Sequence, residues 1–140
     1  MTVLDTNVVS ELMKPLRSDG VLAWLSTQRM HELFVTTITV AEVLYGIELL
    51  PKGKRREGLE REAETMFRQD FGGRILPFDE QAARTFALLA ATRRKLGRPI
   101  AFFDAQIAAV TQIHGATLAT RNSDDFENCG IRLVNPWKPL

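Results

Sequence analysis

The chain has 140 residues, with 18 basic and 17 acidic side chains and a formal charge of +1, so no global field marks it as a polyanion binder and local clusters must supply any such contact. Hydrophobic residues make up 45% and charged residues 25%, the balance of an ordinary globular protein, and no apolar run approaches the roughly 20 residues that span a bilayer. The single cysteine, Cys129, excludes an internal disulfide, and no basic-then-apolar leader precedes Asp5, so a cytoplasmic protein of one domain over residues 1–140 is expected.

The first apolar run, Val3-Leu4, ends in Asp5, and Thr6-Asn7 leads into a segment with helical spacing from Val8 to Met13, stopped by Pro15. A buried parallel strand delivers an acid to its C-terminal end in this way. Taken alone, Asp5, Thr6 or Asn7 is more simply the cap of the next helix, because such side chains satisfy its orphan amides. A second helix through Val21, Leu22 and Leu25 takes Ser18 or Asp19 as its cap. Leu33-Phe34-Val35-Thr36 reads as a strand, and Thr37 or Thr39 caps a helix from Val40 to Leu50 with Val40, Val43, Leu44 and Ile47 on one face.

Lys52 to Gln69 is a charge-rich helix with few large apolar residues, suited to protruding or to meeting a partner. Ile75-Leu76 is a minimal strand. Asp79 caps a helix from Glu80 to about Leu96, and Ile100 to His114 forms the next helical unit, with Asp104 near its start. Thr117 to Thr120 and Ile131 to Val134 are the last strands, separated by the polar loop Arg121-Asn122-Ser123-Asp124-Asp125. Alternating strands and helices predict a three-layer α/β/α sandwich around a mostly parallel sheet of about five short strands.

Four acidic positions share one kind of place, a strand end or a helix start: Asp5, Glu42, Asp104 and the loop with Asp124 and Asp125. Each has a plain structural role open to it, as a cap, a helix-dipole partner, a solvated surface group or a turn residue. Jointly they can meet at the carboxyl edge of a parallel sheet, where ligands bind. Carboxylates that meet repel one another, and a hard divalent cation such as Mg²⁺ or Mn²⁺ relieves the repulsion. His31 and His114 have no metal-ligand spacing, and Cys129 reads as a small buried or loop residue. Two basic clusters, Lys52-Lys54-Arg55-Arg56 and Arg93-Arg94-Lys95-Arg98, offer phosphate contacts, although the second sits at a helix C-terminus, where the dipole equally accounts for it; Arg121 lies beside the acidic loop.

Asp5-Thr6-Asn7-Val8-Val9-Ser10-Glu11, Ile38-Thr39-Val40-Ala41-Glu42, Phe103-Asp104-Ala105-Gln106-Ile107-Ala108-Ala109 and the run from Ala119 to Phe126 resemble, in order, the motifs of PIN-domain proteins. The likeness is to VapC-type toxins of bacterial toxin–antitoxin pairs, in the FitB-like branch, and Arg74 to Asp79 and Asn135-Pro136-Trp137 extend it. The resemblance implies a Mg²⁺- or Mn²⁺-dependent endoribonuclease in which Asp5, Glu42 and Asp104 are catalytic acids and metal ligands. A fourth site position falls on Asn122 or Asp125, because relatives differ there. Thr6, Asn7, Thr120 and Arg121 are implied supporting or phosphate-contacting residues. A homodimer is implied, held inactive by an antitoxin that carries the complex to operator DNA, with RNA as substrate. Two other readings remain at this stage. One is a catalytically weak PIN-like module acting as a DNA-binding co-repressor. The other is a haloacid-dehalogenase-like phosphatase, disfavoured because Asn7 stands where its second acid belongs.

Overall fold

The computed structural model describes residues 1–138. Its organising strand is β1 (Thr2–Leu4), which lies at the centre of a five-stranded, all-parallel sheet with β2 (Leu33–Thr36), β3 (Ile75–Leu76), β4 (Thr117–Ala119) and β5 (Arg132–Val134) in the order β3-β2-β1-β4-β5. The chain winds outward from β1 through β2 to β3, then returns to the other side of β1 for β4 and β5. The winding therefore reverses between β1 and β4. At such a switch point, crevices open beyond the carboxyl ends of the strands.

The strands are apolar on both faces because both are covered, as parallel sheets require. Val3, Leu118 and, less deeply, Phe34, Leu76 and Leu133 face one layer, built by α5 (Glu80–Lys95) and α6 (Phe102–Ile113). Leu4, Leu33, Val35 and Ala119 face the other, built by α1 (Thr6–Leu12), α2 (Asp19–Ser26), α3 (Thr37–Glu48) and α4 (Lys54–Thr65). The register aligns these rows: Val3 pairs with Leu118 and Leu118 with Leu133, while Leu4 pairs with Ala119 and Ala119 with Val134. The expected three-layer sandwich is the fold observed, with six α-helices around the sheet among the described residues.

Local differences from the sequence reading have physical causes. The cap of α3 is Thr36, the last residue of β2, not Thr37 or Thr39; its buried hydroxyl accepts the Thr39 N–H at 3.1 Å. The strand thus passes into the helix with no loop. The helix expected over Lys52 to Gln69 starts at Lys54 and gives way after Thr65 to a π-helical turn, Met66–Asp70, in which the Phe71 N–H reaches the Met66 carbonyl at 2.8 Å. Phe67, inside this turn, and Phe71, at its end, are both buried in the core. This helix does not protrude: Ala63 is fully buried, and Leu59 and Met66 pack on the same cluster. Leu44, expected on the inner face of α3, is 44% exposed, and the buried positions are Thr39, Val43 and Ile47.

Thr36→Val keeps the β-branched shape and removes only the capping oxygen, so it should cost about 1 kcal/mol of unfolding free energy, measured as a lower urea midpoint at unchanged slope.

Candidate active site

Asp5 stands at the switch point. Its N–H continues the sheet ladder by donating to the Ala119 carbonyl at 2.9 Å, and the Thr120 N–H does the same to Val134 at 2.9 Å. The two residues that end β1 and β4 are thereby brought side by side. Oδ2 of Asp5 accepts the Thr120 hydroxyl at 2.7 Å, and Oδ1 accepts the Thr6 N–H at 2.8 Å. Asp5 itself is therefore the N-cap of α1, the role that Thr6 or Asn7 was open to take. Capping and site chemistry coexist because each carboxylate oxygen accepts more than one bond, so each keeps capacity for a ligand.

The Thr120 hydroxyl is fully buried and its direction is forced. It accepts the Asn122 N–H at 3.1 Å and the Asn7 side-chain amide at 3.4 Å, which fills its acceptor capacity and leaves its single proton for Asp5. Asn7 completes the strap by accepting the Arg121 N–H at 3.4 Å. On the other side, the Thr6 hydroxyl donates to Glu42 Oε1 at 2.8 Å and lies 3.0 Å from the Thr39 hydroxyl. Thr39 is held in turn by the Thr36 cap. Glu42, on the second turn of α3, is thus tied to α1 through one threonine.

Asp104 enters from the first turn of α6. Asp5, Glu42 and Asp104 line one recess of about 390 Å³ together with Thr6, Asn7, Asn122 and Arg121. Of the fourth-position candidates, the structure puts Asn122 in the wall. Asp125 lies in the 3-10 turn Ser123–Phe126, exposed, with its charge felt at both Asp5 and Asp104.

Electrostatics set this recess apart from a surface cluster. The Asp104 carboxyl is pushed up to about 6, by burial first and then by the charges of Asp5, Glu42 and Asp125. The Asp5 carboxyl is also raised, chiefly by burial, although the bonds from Thr120 and Thr6 oppose this. The fold holds these acids where their charges are under-compensated, an arrangement typical of functional sites. No trio of His, Cys, Asp or Glu among the described residues already stands at ligating spacing. Mg²⁺ does not need one: it binds through one or two carboxylates and keeps several waters, and Asp5, Glu42, Asp104 and the side-chain amides of Asn7 and Asn122 offer oxygen donors of the hard kind it prefers.

The basic clusters divide differently from expectation. Arg93 is buried, at 3% exposure, and is not available to phosphate. It donates to the carbonyls of Asp125, Glu127 and Arg98, each at 2.8 Å, and so fastens the acidic loop to the end of α5. Arg98 pairs with Glu127 at 2.9 Å, and Arg56 with Glu48 and Glu60. Arg121 does line the recess, its guanidinium 5.0 Å from the ring centre of Trp137. Sequence reasoning left out Glu11 and Lys14, which line the same recess. The available signal was spacing: Asn7 and Glu11 are four apart and Lys14 three further, one side of α1 and its end.

A family model for the PIN domain matches residues 2–131. The chain is 42% identical over 139 residues to the VapC ribonuclease Y4jK of Sinorhizobium fredii, covering 99% of each. It is 38% identical over 137 residues to the toxin FitB of Neisseria gonorrhoeae, covering 98% of this chain and 99% of FitB. Among solved structures, FitAB bound to an IR36 DNA fragment superposes with a TM-score of 0.94 at 37% identity, covering 100% of this chain and 98% of the matched one.

The raised carboxyl of Asp104 fixes the sign of a pH effect. Between about 4, its ordinary value, and about 6, the folded state binds more protons than the unfolded one. Stability in EDTA should therefore fall as pH rises through that window. Asp104→Asn should stabilise the metal-free protein at pH 7.5 by about 1 kcal/mol, after allowing for solvent screening of a half-exposed group, and have no effect near pH 4. Chemical denaturation at the two pH values measures both.

Proposed function

The chain belongs to the PIN-domain family, and on that premise we propose that it is a metal-dependent endoribonuclease, the toxin of a toxin–antitoxin pair, acting as a single domain in the cytoplasm. The observation that carries this reading is the convergence of Asp5, Glu42 and Asp104 from three elements onto one recess at the switch point of the sheet. The similarity to a VapC ribonuclease and to FitB supports the same activity. No helix among the described residues is long and apolar enough to cross a membrane.

Asp5 and Asp104 are the residues that hold Mg²⁺ or Mn²⁺, with Glu42 as a further ligand. When bound, the ion supplies Lewis-acid polarisation of phosphoryl oxygens and a more acidic water at neutral pH. The protein's share is orientation and proton handling. Thr6 fixes one oxygen of Glu42 and leaves the other to orient the attacking water and take its proton. Thr120 and the Thr6 amide keep Asp5 in one rotamer, facing the recess rather than solvent. Arg121, stiffened by Trp137, meets the developing charge on the phosphoryl oxygens. Asn122 binds water through its amide at the fourth position, with Asp125 as the alternative.

Beside the recess runs a larger groove of about 1100 Å³, floored by Met13, Leu22, Val43, Ile47 and Leu59 and sharing Ser10, Lys14 and Glu42 with it. Its apolar floor and its opening onto the acids suit an antitoxin segment that seats an amphipathic face and sends a cation to the carboxylates. The helix α4, expected to meet a partner, lines this groove together with Leu50; Leu49 does not line it and is exposed. Assembly as a homodimer, with operator DNA reached through the antitoxin, completes the reading.

The purified chain, freed of antitoxin, should cleave RNA with Mg²⁺ or Mn²⁺ and not in EDTA. Asp5→Asn, Glu42→Gln and Asp104→Asn should each lower the rate at least about 100-fold and abolish growth inhibition without loss of antitoxin binding. Full toxicity of Asp5→Asn would contradict the reading. Absence of cleavage with either metal, on diverse RNAs, would favour a co-repressor module instead.

A further inference from the structure

One wall of the recess carries side chains that the proposed chemistry does not use. Glu11 is a carboxylate only 5% exposed, in the same recess as Asp5, Glu42 and Asp104. Its circumstances are opposite to theirs. Oε2 accepts the Ser18 N–H at 3.0 Å and Oε1 accepts Lys14 Nζ at 3.1 Å. These bonds, with the charges of Lys14 and Arg121, hold its carboxyl below the ordinary range. Glu11 is therefore an acid that is already compensated, bonded to Lys14 and sharing its recess with Arg121.

Both cations retain binding capacity. Lys14 spends one of its three donors on Glu11, and its side chain remains 57% exposed at the meeting of recess and groove. The Arg121 guanidinium lies over the ring of Trp137, an aromatic contact that uses none of its N–H donors and leaves them for an anion. A recess with four carboxylates repels a polyanion. Cations fixed along one wall give an approaching phosphate a place of opposite sign.

We propose that Glu11 is a positioning residue that holds Lys14, which together with Arg121 on the same wall forms a paired seat for the RNA backbone phosphate next to the scissile one. The inference rests on the nuclease reading above. It makes Lys14 a substrate-binding residue, and it makes the Glu11–Lys14 pair more than an ion pair closing the end of α1.

The test uses the full chain and a mixed-sequence single-stranded RNA. Cleavage is measured on the otherwise native protein, and equilibrium binding on an Asp104→Asn background so that the RNA stays intact. Lys14→Ala should raise KM about 3- to 10-fold with kcat changed less than twofold, and should reduce the slope of log Kd against log salt by about 1. Lys14→Arg should restore both. Glu11→Gln, which keeps the acceptor for Ser18, should shift KM and the salt slope in the same direction as Lys14→Ala; thermal melts check that each variant is folded. Normal cleavage with KM and salt slope unaltered in folded Lys14→Ala would overturn the seat and leave the nuclease reading standing. A folded wild-type chain that binds RNA yet cuts none with either metal would overturn the nuclease reading, and with it a seat beside a scissile phosphate.

Discussion

The hydrogen bond from Thr120 to Asp5 ties together the two strands between which the sheet reverses its winding. Everything at the site is referred to that bond. It sets the rotamer of the acid at the end of β1, and its donor is committed because Asn122 and Asn7 occupy the acceptor side of the hydroxyl. The same Asp5 caps α1, which fixes where Thr6 points and so where Glu42 is held. A short relay of threonines and one carboxylate thereby transmits the geometry of a parallel sheet to two acids. The third comes on α6, packed against α5 on the opposite layer.

This arrangement has an electrostatic consequence. Burial and mutual repulsion leave Asp104 and Asp5 reluctant to ionise, while Glu11, in the same recess, is fully compensated by hydrogen bonds and cations. The recess is thus divided into a wall that lacks positive charge and a wall that holds it. A proton, a divalent ion or a cationic side chain of a partner all satisfy the first wall, and they exclude one another in doing so. Activity and inhibition are in this view two occupants of one electrostatic vacancy. The adjoining groove gives a partner the apolar contact needed to compete.

Much of this was legible in the sequence, for reasons that can be named. Short doubly apolar runs followed at once by caps mark parallel strands, so Leu33 to Thr36 and Thr117 to Ala119 were readable almost to the residue. That Asp5, Glu42 and Asp104 share one recess was readable only jointly: each acid alone had a structural role open to it, and it was their common placement at strand ends and helix starts that pointed to one sheet edge. For Arg93 the helix C-terminus suggested a structural role as readily as a phosphate contact, but only the fold shows the loop carbonyls that surround it. The π turn after Thr65 leaves no compositional mark, since its residues read as a continuation of the same helix. Glu11 was passed over because the Ser18 N–H that it accepts comes from the cap of the next helix, which spacing within α1 does not reveal.

The central claim is that the acids at the switch point form a vacancy for a divalent cation. Anomalous diffraction from crystals of the antitoxin-free protein soaked in Mn²⁺ tests it most directly. A manganese peak in contact with Asp5 or Asp104, lost in Asp104→Asn crystals grown alike, is the predicted result. A recess without a peak, or manganese bound only elsewhere on the chain, would contradict it.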